Sequence, residues 1–117
     1  MPLHLPLPPQ TYTGDKLDKS KANYTWWRTH ADLFLTSCSL RGYVTGRIPP
    51  PPSTEPHALA NWQADDEMAA ALLFGTLDET EWQFLDRSLG AKACWDAIVA
   101  RHQDEGPIRR SLISKKH

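Results

Sequence analysis

Apolar residues recur along this chain at helical spacing, and no run alternates apolar with polar at the period of two that a half-buried strand needs. Trp27, Ala31, Phe34, Leu35 and Cys38 fall on one side of a helix of 3.6 residues per turn. Asn23, a favoured N-cap residue, predicts where that helix begins. Gly42 and Gly46 bracket Tyr43 and Val44 as the chain leaves it. A second helix is predicted over 57–74, with Trp62, Met68 or Ala69, Leu72 and Leu73 as its inner stripe and Gly75 as its C-terminal cap. Asp78 suits the N-cap of a third helix, and Glu79 and Glu81 fall in its first turn, where the helix dipole favours acids. Trp82, Leu85 and Leu89 give that segment an apolar side. After Gly90, residues 91–103 predict a fourth helix with Cys94, Trp95 and Ile98 inward and Val99 at the margin. Gly106-Pro107 opens a short fifth, because proline is well tolerated in a first turn.

The ten prolines set the limits of these helices. Pro2, Pro6, Pro8 and Pro9 keep residues 1–11 an extended arm, and Pro49, Pro50, Pro51, Pro52 and Pro56 exclude a helix from the loop 47–56. The fold expectation is therefore all-α: a small bundle of four to five helices over 12–117, preceded by a Pro-rich arm and interrupted by a Pro-rich loop.

Composition narrows the class. A chain of 117 residues, 40% of them hydrophobic and five of them tryptophan, has material for one small core. The formal net charge of −1 argues against a generally basic nucleic-acid binder. Charge is nonetheless segregated. Residues 55–86 carry Glu55, Asp65, Asp66, Glu67, Asp78, Glu79, Glu81 and Asp86 without a Lys or Arg, while 106–117 carry Arg109, Arg110, Lys115 and Lys116 without an acid. Such runs are solvated helix faces, or an acidic surface that meets a basic one on a neighbouring subunit. Cys38 and Cys94 are too few for a disulfide scaffold or a four-thiolate zinc site, and they read as reduced, half-buried thiols. Residues 1–9 lack the basic cluster of a signal peptide, and the longest apolar run, 68–74, is far short of the roughly 20 residues that span a membrane. A soluble, cytoplasmic protein is expected.

Catalytic patterns are absent from the sequence. The six glycines are spread singly, so none builds a phosphate loop. No two histidines among His4, His30, His57, His102 and His117 stand at the i, i+4 spacing of a helical zinc site. Asp65 and Asp66 are adjacent among positions read as solvent-facing. Cys94 and His102 are eight residues apart on one predicted helix, about 12 Å along its axis, too far for a hydrogen bond. No enzymatic activity, cofactor, metal or small-molecule substrate is expected.

Trp27, Trp62 and Trp95 lie on the stripes of different helices and read as core, together with Tyr24, Phe34, Leu73, Leu85 and Ile98. Trp26 and Trp82 are the tryptophans the stripes need least. Trp26 points about 100° away from Trp27, so it packs on the N-terminal arm or anchors an interface. Trp82, Arg109 and Arg110 complete the candidate interface. The four-proline run is a spacer between helices, or a ligand for an aromatic-lined groove.

Several short motifs stand in a particular order: Gly14 and Leu17; Asn23-Tyr24-Thr25-Trp26-Trp27; Gly42-Tyr43-Val44-Thr45-Gly46; Trp62 with Asp66; Ala91-Lys92-Ala93-Cys94-Trp95-Asp96; and His102 before Gly106-Pro107. In that order, over roughly residues 12 to 112, the chain resembles the N-terminal Gag region of copia-type LTR retrotransposons, fungal members especially. The resemblance implies a capsid-like structural domain that associates with itself or with related Gag proteins. The zinc knuckle of Gag, Cys-x-x-Cys with a following His and Cys, is not in the sequence, so weak, non-specific RNA binding is the most expected here. The alternative is a helical adaptor that binds an unrelated host protein through the Pro-rich loop or the exposed tryptophans.

Overall fold

A computed structural model describes residues 11–103 of the chain, and all regular structure among them is helical apart from one isolated bridge. Five α-helices follow in order: α1 Tyr24–Ser37, α2 Arg41–Thr45, α3 Pro56–Phe74, α4 Glu79–Trp82 and α5 Ala91–His102. Short 3₁₀ turns at Lys19–Lys21 and Arg87–Leu89 complete the set. The all-α expectation holds. The fifth helix expected at Gly106-Pro107 lies outside the described residues, as does the arm over 1–10.

α1 starts directly after Asn23, yet the Asn23 side chain does not cap it. Its amide turns back to the incoming segment, accepting from the Asp18 N–H at 3.1 Å and donating to the Lys16 carbonyl at 3.0 Å. This anchors the stretch that carries Leu17, which is fully buried and bridges Leu77 in parallel. Leu17 N–H donates to Thr76 O, and Asp78 N–H donates to Leu17 O, both at 3.0 Å. Period-based reading could not see this pairing, because it is a single residue long on each side.

The core lies where α1, α3 and α5 meet. α1 contributes Tyr24, Trp27, Ala31 and Leu35; α3 contributes Ala69, Ala70 and Leu73; α5 contributes Ala91, Cys94, Trp95 and Ile98. Three expected core residues, Phe34, Trp62 and Leu85, are only half-buried, Phe34 and Leu85 at the edge of the core, and Met68 is exposed, so Ala69 rather than Met68 faces inward. The small Ala69-Ala70 pair lets the large rings of Trp27 and Trp95, with centroids 5.4 Å apart, fill the space between helices.

Two predicted elements differ. Residues 42–46 were expected as an exit from the first helix, but 41–45 form α2, whose Val44 is buried and which packs on α3 and α5. Gly46, left-handed at φ +80°, ends it. The third predicted helix begins after Asp78, which accepts from Thr80 N–H as a cap, but it runs only to Trp82. Asp86 instead opens a separate 3₁₀ turn, Arg87–Leu89. Its carboxylate accepts from the N–H and hydroxyl of Ser88 at 3.0 and 2.6 Å and so caps that turn. Leu89, expected on the apolar side, is consequently exposed. Gly75 closes α3 as its C-cap, as expected, in the right-handed region.

Candidate functional site

The tryptophans show how packing sorts similar side chains. Trp27 is fully buried and donates its indole N–H to both the carbonyl and the hydroxyl of Thr76, at 3.0 and 3.1 Å. Thr76, itself buried, passes its own hydroxyl proton to Leu73 O at 2.7 Å, so this polar centre is satisfied. Trp62 donates to Ile48 O at 2.8 Å and stacks obliquely near Tyr43, which ties the start of the Pro-rich loop to α3. Trp82 is exposed but stacks on Phe74 and donates to its carbonyl at 3.1 Å. Trp26 is 41% exposed and lies flat on His30. The candidate interface residues Trp26 and Trp82 sit on different elements, α1 and α4, and Arg109 and Arg110 lie outside the described residues.

The most charged part of the interior is a cluster that the sequence did not disclose. Glu81, expected in a solvated first turn, is only 2% exposed. Its carboxylate accepts from Arg101 Nε and Nη2, both at 3.1 Å, and Oε1 lies 2.7 Å from Nε2 of the fully buried His102. Burial pushes the Glu81 carboxyl upward, but the hydrogen bonds and charges of Arg101 and His102 outweigh it, so the group sits below its usual range. An ionised carboxylate only accepts, so His102 must present a proton on Nε2. The His102 ring stacks on Tyr24 at 5.6 Å, and the Arg101 guanidinium lies 3.6 Å above the Phe84 ring. The cluster therefore fastens the short α4 to the end of α5 and to α1. Glu81 and His102 are buried, while Arg101 is partly exposed. No sequence signal distinguished Glu81 from its neighbour Glu79 in the same first turn, because the relation to Arg101 and His102 is set by the fold.

Asp66 is a second correction. Read as solvent-facing, it is half-buried, and its Oδ1 accepts the Ala91 N–H at 3.2 Å. A carboxylate from α3 thus caps the start of α5, where the helix dipole welcomes negative charge. Gly90 makes room for it: a Cβ there would stand 3.0 Å from Asp66 Oδ2. Neighbouring Asp65 accepts from the Tyr43 hydroxyl at 3.0 Å; burial first and Asp65 second raise the Tyr43 pKa. Hydrogen bonds from Thr80 and Ser88 hold Asp78 and Asp86 below the usual carboxylate range.

Cys94 donates its S–H to Asp86 O at 3.4 Å rather than meeting His102. Burial, then the acids Asp86 and Asp66, raise its pKa and keep it a thiol. Cys38 is free and half-buried. Among the described residues no three His, Cys, Asp or Glu side chains converge on a point that could hold a metal, and no helix is long and apolar enough to cross a membrane. Compared with protein-family models, with curated proteins and with solved structures, the chain matches none.

Proposed function

We propose that this chain is a non-enzymatic, Gag/capsid-like structural domain that works in the cytoplasm by associating with copies of itself or with related Gag proteins. The observation that carries the reading is apolar surface. Trp82, Phe84 and Leu89 are large side chains left exposed within one short stretch, and exposed Met68 of α3 lines a shallow groove with Asp86, Arg87 and Ser88 beside them. Large apolar side chains left exposed in so small a domain fit a protein–protein contact. The ordered motifs from Gly14 to Gly106-Pro107 add support by their resemblance to copia-type Gag. RNA binding by this domain is expected to be weak and without sequence preference.

Light scattering across a wide range of protein concentration tests the reading. Multimers that grow with concentration, and that weaken when Trp82 and Phe84 are replaced by serine, support it. A strict monomer favours the helical adaptor, a reading helped by the exposed Pro49, Pro50 and Pro52 that follow the Ile48 carbonyl held by Trp62.

A further inference from the structure

The outer side of α1 carries an aromatic floor that the helical core does not use. Trp26 and His30 are stacked with centroids 3.6 Å apart and planes 14° from parallel, and His30 Nδ1 fixes this pair on the Trp26 carbonyl at 2.8 Å. Tyr12 stands edge-on to Phe34 at 5.5 Å, its hydroxyl donating to Asp15 O at 2.8 Å. With Leu33, which is 62% exposed, these side chains line an open groove of about 290 Å³. Gly14 brings the incoming main chain against the same rings: a Cβ there would stand 2.7 Å from Tyr12 Oη and 3.0 Å from Trp26 Cη2.

The polar chemistry of the groove selects its occupant. Trp27, Trp62 and Trp82 each give their indole N–H to a main-chain oxygen, whereas those of Trp26 and Trp95 have no partner among the described residues; Trp95 is buried in the core, and Trp26 is the one of the two that lines the groove. Flat rings plus one unused donor suit a polyproline II segment, whose proline rings lie on aromatic faces and whose carbonyls have no internal hydrogen bonds. One such segment is attached to the groove itself. Thr11 lines it, and the residues immediately before Thr11 include Pro2, Pro6, Pro8 and Pro9 interleaved with Leu3, Leu5 and Leu7. At about 3.1 Å per residue, eight such residues extend about 25 Å, enough to follow the length of α1, about 21 Å. The other proline run leaves from Ile48, which Trp62 holds in a different groove.

We propose that this groove is the docking site of the chain's own N-terminal arm, residues 2–9 lying on it in polyproline II form with the Trp26 N–H donating to an arm carbonyl. Attachment at Thr11 gives the arm an effective concentration in the millimolar range, so even a weak groove stays occupied. The assignment does not depend on self-association.

Two-dimensional NMR of the full chain tests it through the indole N–H signals. Trp26→Phe identifies the Trp26 signal by its loss. Replacing Leu5, Pro6 and Pro8 together by serine should move that signal while leaving the signal of buried Trp27 in place, which also reports that the bundle is intact. Nuclear Overhauser contacts from arm leucines and prolines to the Trp26 ring should persist unchanged on dilution. An unmoved Trp26 signal, with coil-like shifts along the arm, overturns the proposal. Contacts that vanish on dilution overturn it as well, because the groove then receives the arm of a second copy.

Discussion

Trp26 and Trp27 are chain neighbours on α1, and their surroundings have little in common. Trp27 faces α3 and α5, has no exposed surface, stacks near Trp95, and gives its N–H to Thr76. Trp26 faces the N-terminal segment, touches Gly14 and His30, and keeps its N–H unused among the described residues. The inner side of the helix is thus paired both in shape and in hydrogen bonds, while the outer side is shaped but chemically unfinished. Stability rests on the first, and the second is where we propose that the N-terminal arm docks. Trp26 is exposed enough for water to reach its N–H, so exchanging that water for a carbonyl acceptor gains only about 0.5–1.5 kcal/mol.

The largest test of this division is Trp27→Ala. Removing a buried tryptophan should cost about 3–5 kcal/mol, which in a domain of this size lowers the melting temperature by more than about ten degrees or prevents folding. Trp95→Ala should behave similarly, since Trp95 is the ring against Trp27. Thermal melts followed by circular dichroism read both, and an unchanged Trp27→Ala melt would end the distinction between the two sides.

The Glu81 cluster extends the inner side into electrostatics. Glu81→Gln leaves Arg101 and His102 without their carboxylate and should cost about 2–3 kcal/mol, the moderate figure reflecting that part of Arg101 reaches water. The pH dependence follows from the lowered carboxyl. Its stabilisation is complete above the unfolded value of about 4.3 and is lost as pH falls through the lower folded value. Urea titrations from neutral to acid pH should show a steeper loss in the native chain than in Glu81→Gln, whereas parallel curves would mean that Glu81 carries no net favourable interaction.

Smaller effects come from the backbone and from the outer side. Gly90 adopts φ +100° and ψ 166°, a conformation open essentially to glycine, and its missing Cβ leaves space for Asp66. Gly90→Ala should cost about 1–3 kcal/mol by denaturant melt. If it costs nothing, Asp66 does not hold the start of α5 as described. Trp26→Ala should change stability by about 1 kcal/mol or less, in line with surface substitutions. A loss equal to that of Trp27→Ala would move Trp26 into the core and erase the contrast.

Much of the helical layout was legible in the chain. Asn23, Asp78 and Gly90 marked real boundaries, and Trp27, Ala31 and Leu35, with Cys94, Trp95 and Ile98, mark inner faces that the structure buries. Local rules suffice for the inner faces because 3.6-residue periodicity acts within one helix, and for the Asp78 boundary because its side chain caps its own helix. The same rules misplaced Leu89 and the stretch 42–46, and left the choice between Met68 and Ala69 open. In α3 two adjacent positions competed for the inner face, and the close approach of Trp27 and Trp95 favoured the small Ala69 over the larger Met68. At 42–46 the two glycines suggested a break, but contacts with α3 and α5 favoured a turn of helix with Val44 inward.

The sequence by itself determined an all-helical chain, most helix starts and the apolar faces of α1 and α5, because these depend on residues a few positions apart. Only tertiary structure decided that Glu81 is buried with Arg101 and His102, that Asp66 caps α5, that Leu17 pairs with Leu77, and that Trp26 shares a groove with Tyr12 and Phe34. Each of those relations joins residues distant in sequence, and its energy exists only once packing has removed the water between them. The charge pattern along the chain could not separate a solvated acid from a buried one, since the same carboxylate is favourable in either place when its partners are supplied.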